Sequence, residues 1–388
     1  MDYNQRRTQL LDSIDTTGAV VAVSAAYEVQ QSPSTTYSYH QDANFRYLCG
    51  YNYPDAVLVV HGGGSLLFVR PADEHELLWE RTRIDFKSIK QQTQVDNVVA
   101  LDELDSWLQK NQNRHFFVPH TLPQPFSRAQ PNQAQSKLIT AIKNAGVGQV
   151  SDANQALGSL RRVKDDDEVR LIEQAVSISR QAIQQLETAV DYEYELEAQL
   201  TKYFIQRNVR HAYQPVVASG DNATVLHYRE NNRKLPENGM VLIDAGAEVE
   251  GYAADVTRMI SVGTPPATQR QMLEITNQLQ AAAIDRIRPG VTIRELSTAF
   301  RADALKQAKQ AGFADDATDI KDTIKLMPHG LHHYLGLDVH DVGDYDAPLE
   351  PGVVLMVEPG LYLFDQGLGV RVEDAVVVTA DGCRVLAK

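Results

Sequence analysis

Four acidic residues each end or interrupt an apolar, strand-like run. Val241-Leu242-Ile243-Asp244-Ala245-Gly246 closes on one aspartate, and Tyr252-Ala253-Ala254-Asp255-Val256-Thr257 carries a second eleven residues on. Glu250-Gly251 between them reads as a turn, so an antiparallel hairpin would set the two carboxyls side by side. Two buried carboxylates that close repel each other, and one keeps its proton unless a cation compensates. Val354-Leu355-Met356-Val357-Glu358-Pro359-Gly360 and Gly369-Val370-Arg371-Val372-Glu373-Asp374 repeat the pattern with glutamates. Histidines cluster beside them: of 11 in the chain, His329, His332, His333 and His340 fall in one short glycine-containing stretch. No glutamate follows His329, so this is not the His-Glu-x-x-His pattern of zinc peptidases. Four carboxylates balance two divalent cations, and a neutral histidine completes the set. Oxygen-rich ligation favours hard ions such as manganese. Two such ions about 3.5–4 Å apart can share a water and lower its pKa enough to supply hydroxide near neutral pH. Taken singly, each acid could instead cap a turn or pair with a base. It is the four acids with the histidine cluster that point to a metal pair.

The chain has 388 residues, enough for two or three domains of roughly 150 residues each. With 37 Lys and Arg against 51 Asp and Glu, the net charge is −14. That argues against nucleic-acid or anionic-membrane surfaces, which need a basic face. Only Cys49 and Cys383 are present, too few for a disulfide framework or a Cys-based zinc site. The N-terminal stretch lacks the apolar core of a secretory signal, and no run approaches the roughly 20 apolar residues that span a bilayer. A soluble, cytoplasmic protein is expected.

Residues 19–23 and 56–60 read as buried strands, and Ser65–Val69 after the turn 61–64 as the second arm of a hairpin. The triple glycine 62–64 is not followed by Gly-Lys-Ser/Thr, so it is a turn rather than a phosphate loop. Residues 119–136, rich in Pro, Gln and Ser, read as a surface loop. Lys164-Asp165-Asp166-Asp167-Glu168 lacks the glycine and alternating spacing of a calcium loop and reads as a capped helix start. A domain boundary is expected near 155, separating an N-terminal α/β domain (1–155) from a mixed domain (156–388), an α+β chain overall. Helices are expected at 168–190, 195–208, 266–287 and 292–311, and strand pairs at 240–262 and 352–379.

Asp244, Asp255, His333, Glu358 and Glu373 match, in order and local context, the dinuclear ligands of the pita-bread metallopeptidases. The chain resembles that family, which includes methionine aminopeptidase, prolidase and aminopeptidase P. The resemblance is carried by Leu242-Ile-Asp-Ala-Gly-Ala, Gly251-Tyr-Ala-Ala-Asp-Val-Thr-Arg258, His329-Gly through His340-Asp-Val-Gly343, and Val357-Glu-Pro-Gly-Leu-Tyr362. Residues 37–56, Tyr-Ser-Tyr-His-Gln-Asp-Ala-Asn-Phe-Arg-Tyr-Leu-Cys-Gly-Tyr-Asn-Tyr-Pro-Asp-Ala, are similar to the aminopeptidase P type, although His40 stands where arginine is usual. The loop between Tyr362 and Gly369 is short for that type. The resemblance implies an N-terminal aminopeptidase P-like domain followed by a pita-bread catalytic domain. It implies His333 and Glu358 on one metal, Asp244 on the other, and Asp255 and Glu373 bridging. It further implies catalytic roles for His227, His340 and Glu358, and substrate contacts from His329, His340 and Arg371.

The implied reaction is hydrolysis of the bond between an N-terminal residue and a following proline, by attack of a metal-bridging hydroxide. Manganese is the expected ion, with cobalt or zinc as alternatives. That bond is a tertiary amide without an N–H, so shape and polarisation must replace a donor in recognising it. Prolidase-type cleavage of dipeptides is the rival enzyme reading, and a metal-free binding protein of the same fold the rival outside enzymes. The expected partners are peptides with proline in second position and further copies of the chain, as a dimer or tetramer.

Overall fold

The computed structural model describes residues 1–14, 16–79, 85–120 and 133–388. Two compact units make up the chain, Met1–Arg161 and Arg162–Lys388. The first unit runs past the expected boundary because helix Asn154–Arg162 belongs to it: Leu157 is buried, and Arg161 Nη1 donates to Asn44 Oδ1 at 2.7 Å. Of the expected loop at 119–136, residues 121–132 lie outside the described residues, while a helix occupies Ala134–Asn144.

The first unit is built on a six-stranded mixed sheet. Its order is Asn97–Ala100, Gly64–Val69, Ala56–His61, Val20–Ser24, His115–Val118 and Gln149–Asp152. The expected hairpin is present, with His61 opposite Gly64, leaving a two-residue Gly62-Gly63 loop. Val20, Ala22, Val59, Phe68, Phe116 and Leu108 pack beneath the sheet as its core. Gln41 organises the Tyr37–Ala56 stretch. Its Oε1 accepts from Ala26 N and Asp42 N, and its Nε2 donates to the carbonyls of Tyr51 and Tyr53.

The second unit is α+β. Its helices are Asp166–Gln184, Glu193–Ile205, Ala267–Asp285 and Ile293–Gln310, close to the expected four. A reciprocal box caps the first: Asp165 accepts from Glu168 N, and Glu168 from Asp165 N. That helix stops at Gln184 rather than 190, because the Gln199 side chain takes the Glu187 N–H that a continuing helix would use. Among the described residues no helix is long and apolar enough to cross a membrane.

Two antiparallel ladders shape the centre of this unit. Strand Gly239–Asp244 lies between Val216–Ser219 and Thr257–Val262, and Val354–Val357 pairs with Asp374–Val378. A second short ladder, Gly360–Leu363 with Leu368–Arg371, continues the latter pair beyond a gap. Around these strands Leu279, Phe300, Tyr334, Leu355, Leu361 and Val376 form the main core.

Candidate metal centre

Each of the four acids sits at a ladder's end: Asp244 in the last rung of its strand, and Asp255, Glu358 and Glu373 where pairing is interrupted. Asp244 is the last residue of its strand and faces Thr257, not Asp255. Between them the chain inserts a smaller hairpin, Ala247–Val249 with Tyr252–Ala253, turned at Glu250 and Gly251 with positive φ of 49° and 83°. Gly246 permits this return, since a Cβ there would meet Ala254 O at 1.9 Å. Glu358 and Glu373 occupy the gap between the two ladders that end at Val357↔Asp374 and restart at Gly360↔Arg371. Pro359 has no N–H to continue the pairing. Each break frees a carboxylate from the fixed up-and-down alternation of a strand and lets all four turn toward one point.

The ligand atoms form overlapping groups. Oxygens of Asp244, Asp255 and Glu373 lie within 4.8 Å of one another, as do donor atoms of His333, Glu358 and Glu373, and of Asp255, His333 and His340. Glu373 belongs to two of these groups, one with Asp244 and Asp255 and one with His333 and Glu358. Asp244, Asp255 and Glu373 are buried, and Glu358 keeps 18% of its side chain open.

Burial, and next to it the charge of Glu373, pushes Glu358 up to about 8. Asp255 is raised well above the carboxylate range by burial and then by Glu373 and Asp244; Asp244 is also raised, by burial first. Glu373 runs the other way: burial opposes its charge, but His333, Arg371 and the Thr257 hydroxyl outweigh it. Tyr213 Oη stands 2.5 Å from both Asp244 Oδ1 and Asp255 Oδ1. A phenol has one proton to donate, so the second contact needs a proton on a carboxyl or a cation between them. Carboxylates this crowded fit a site for two divalent cations.

Arg371, expected at the proline subsite, is turned inward and 4% exposed. Its Nη2 is paired with Asp244 Oδ2, Nη1 donates to Tyr362 Oη at 3.2 Å, and Nε to Thr257 Oγ1 at 3.2 Å. Thr257 Oγ1 in turn donates to Glu373 Oε2 at 2.7 Å, and Arg258 Nη1 to the Glu373 carbonyl at 2.6 Å. The Asp-Val-Thr-Arg motif thus supplies one candidate ligand, Asp255, and the two side chains that fasten another, Glu373.

The adjacent histidines face opposite ways. His333 Nδ1 contacts Tyr334 O at 3.0 Å, which leaves Nε2 3.6 Å from Asp255, 3.7 Å from Glu358 and 3.8 Å from Glu373. His332 Nδ1 contacts Met356 O at 2.8 Å, and its buried Nε2 has no hydrogen-bond partner among the described residues. His333→Ala is therefore expected to lose bound metal and activity together. His332→Ala should keep its metal, with a stability loss of about 1–3 kcal/mol from the unpaired Met356 carbonyl. Metal analysis and thermal melts of the two variants check this; the reverse pattern would displace the ligand register by one.

Of the remaining predicted residues, His340 and His329 flank the cluster. His340 is exposed, with its ring 4.4 Å from that of His333, and the buried Lys164–Asp341 ion pair of 3.0 Å anchors the residue after it. His329 Nε2 lies 3.0 Å from Tyr362 Oη and its Nδ1 3.5 Å from Glu358. Burial and then Arg371 push His329 down to about 4, so it is neutral near pH 7. His227 sits exposed on a turn that follows the 3-10 segment Gly220–Thr224. Tyr213 was invisible to sequence reasoning: it is a lone tyrosine in a loop, with no periodicity or spacing to tie it to Asp244.

Known proteins match both units. Residues 3–117 match the aminopeptidase P N-terminal domain, and residues 170–380 match metallopeptidase family M24. A Xaa-Pro aminopeptidase of Haemophilus influenzae is 30% identical over 99% of this chain and 93% of its own length. One from Escherichia coli is 31% identical over 98% and 93%. The structure of zinc-substituted E. coli aminopeptidase P in complex with product superposes with a TM-score of 0.88 at 28% identity, covering 100% of this chain and 94% of that one. The pita-bread architecture of the second unit is shared with these neighbours. With its carboxylate and histidine set gathered on that architecture and both domains matched in order, the chain belongs to metallopeptidase family M24.

Proposed function

We propose that this protein is a metal-dependent Xaa-Pro aminopeptidase, releasing the N-terminal residue from peptides whose second residue is proline. The observation that carries the reading is the convergence of Asp244, Asp255, His333, Glu358 and Glu373 in a chain similar over nearly its full length to Xaa-Pro aminopeptidases. Asp244 would hold one cation, His333 and Glu358 the other, with Asp255 and Glu373 between them. When bound, the cations supply an activated water and polarise the scissile carbonyl. Manganese suits a donor set of four carboxylates and one imidazole. Two free thiols, Cys49 and Cys383, suit a reducing cytoplasm.

The chain's own groups perform the rest. A Glu358 carboxylate oxygen takes the proton of the attacking water and returns it to the proline nitrogen, which must leave as an amine. His340, at the open edge beside His333, donates to the carbonyl oxygen as negative charge builds there. His227 stands on the exposed turn as a second donor to that oxygen, and His329 lines the approach next to Glu358. Arg371 and Tyr213 hold Asp244 in place.

Selectivity is the test of this assignment. Manganese-loaded enzyme is expected to cleave Ala-Pro-Ala roughly 10²-fold faster than Ala-Ala-Ala by kcat/KM, the scale on which a shaped pocket discriminates. Equal rates on the two tripeptides would overturn it. Cleavage of Ala-Pro alone, with Ala-Pro-Ala untouched, would make the enzyme a dipeptidase. Size exclusion with light scattering tests the dimer or tetramer expected for the chain.

A further inference from the structure

A second buried carboxylate lies outside the metal cluster. Glu193 opens helix Glu193–Ile205 and is 0% exposed. Its Oε1 accepts from Ser219 N at 2.7 Å, Ser219 Oγ at 2.8 Å and Asn222 Nδ2 at 3.3 Å. Its Oε2 accepts from Tyr228 Oη at 3.0 Å and Arg233 N at 2.9 Å, while its own N–H donates to Arg233 O at 3.0 Å. One turn along the helix, Glu197 Oε2 accepts from Asn231 Nδ2 at 2.9 Å, and Asn231 Oδ1 accepts from Val217 N at 2.9 Å. Asn231 is itself fully buried with φ +44°. Every one of these partners lies in the 217–233 segment, and His227 sits at its exposed tip beside Tyr228.

Removing a carboxylate from water is costly unless hydrogen bonds replace the solvent. Here the replacements come from both flanks of one loop, so Glu193 ties the loop's two sides together, beside the direct links from Asn231 to Val217 and from Arg233 to Ser219 O and Asp221. We infer that Glu193 is a positioning residue for His227, clamping the 219–233 loop so that the His227 ring is held at the reaction centre. This rests on the proposed Xaa-Pro aminopeptidase reading. Glutamine in its place would turn an NH₂ toward either Ser219 N–H or Arg233 N–H, two donors that cannot rotate away.

The test is a double-mutant cycle on the manganese-loaded full chain, read with Ala-Pro-Ala, alongside amide hydrogen exchange. Glu193→Gln is expected to lower kcat/KM roughly tenfold, the scale of one lost buried hydrogen bond, with metal content equal to the parent. Tyr228→Phe, which deletes only the hydroxyl, should lower it a few-fold. In a His227→Ala background neither change should cost anything further, because the residue through which they act is already gone. Exchange at Ser219 and Arg233 should accelerate in both variants while strand Gly239–Asp244 stays protected. Losses that multiply with His227→Ala, a His227→Ala enzyme as active as the parent, or unchanged exchange in the loop would each overturn the inference. If Glu193→Gln does not fold, Tyr228→Phe decides by the same criteria. A parent inactive on Ala-Pro-Ala would instead overturn the functional reading, and the exchange data would still show whether Glu193 orders the loop.

Discussion

Glu358→Gln is expected to turn over Ala-Pro-Ala about 10²–10⁴-fold more slowly than the parent, the range for losing a general acid–base group. KM should change by no more than a few-fold. The amide keeps the size of the carboxylate but cannot take the proton of the attacking water, so the loss falls on the chemical step. Glu358 suits that role because it reaches the cluster while 18% of its side chain remains exposed. Its oxygens lie 3.7 Å from His333 Nε2 and 3.5 Å from His329 Nδ1, which suits the proposed double role of ligand and proton carrier. Because the amide is also a weaker ligand, steady-state rates must be measured at saturating metal. A variant within a few-fold of the parent rate under those conditions would remove Glu358 from the mechanism.

Complete loss of activity is expected after dialysis against a chelator, with the best recovery on adding manganese. Cation-free, Glu358 is raised to about 8 by burial and the Glu373 charge and so holds its proton near neutral pH, and Asp255 is raised in the same direction. Reloading must therefore expel protons, and metal affinity must weaken as pH falls. Calorimetry in buffers of different ionisation heat counts the released protons, and activity titrations at pH 6 and 8 give the affinity trend. Full activity in a preparation shown by elemental analysis to be metal-free would refute the dinuclear reading.

Composition and local pattern determined much of this protein before any coordinates. Capped helix starts, the Gly62-Gly63 hairpin and the strand at 239–244 follow from neighbours within a few residues, where backbone preference and apolar periodicity act. The candidate ligands were legible too, because carboxylates beside apolar runs cost too much to be accidental in numbers. Only tertiary structure decided how they meet. Asp244 pairs opposite Thr257 rather than Asp255, and a small hairpin with a Cβ-free Gly246 brings the aspartates together through Tyr213. Arg371 looks like a substrate contact in a linear motif, and the fold also engages its guanidinium with Asp244, Tyr362 and Thr257. Glu193 lies in an ordinary amphipathic helix until residues 26 to 40 positions away close around it. Such partners are chosen by packing between segments distant in sequence, where no spacing rule operates.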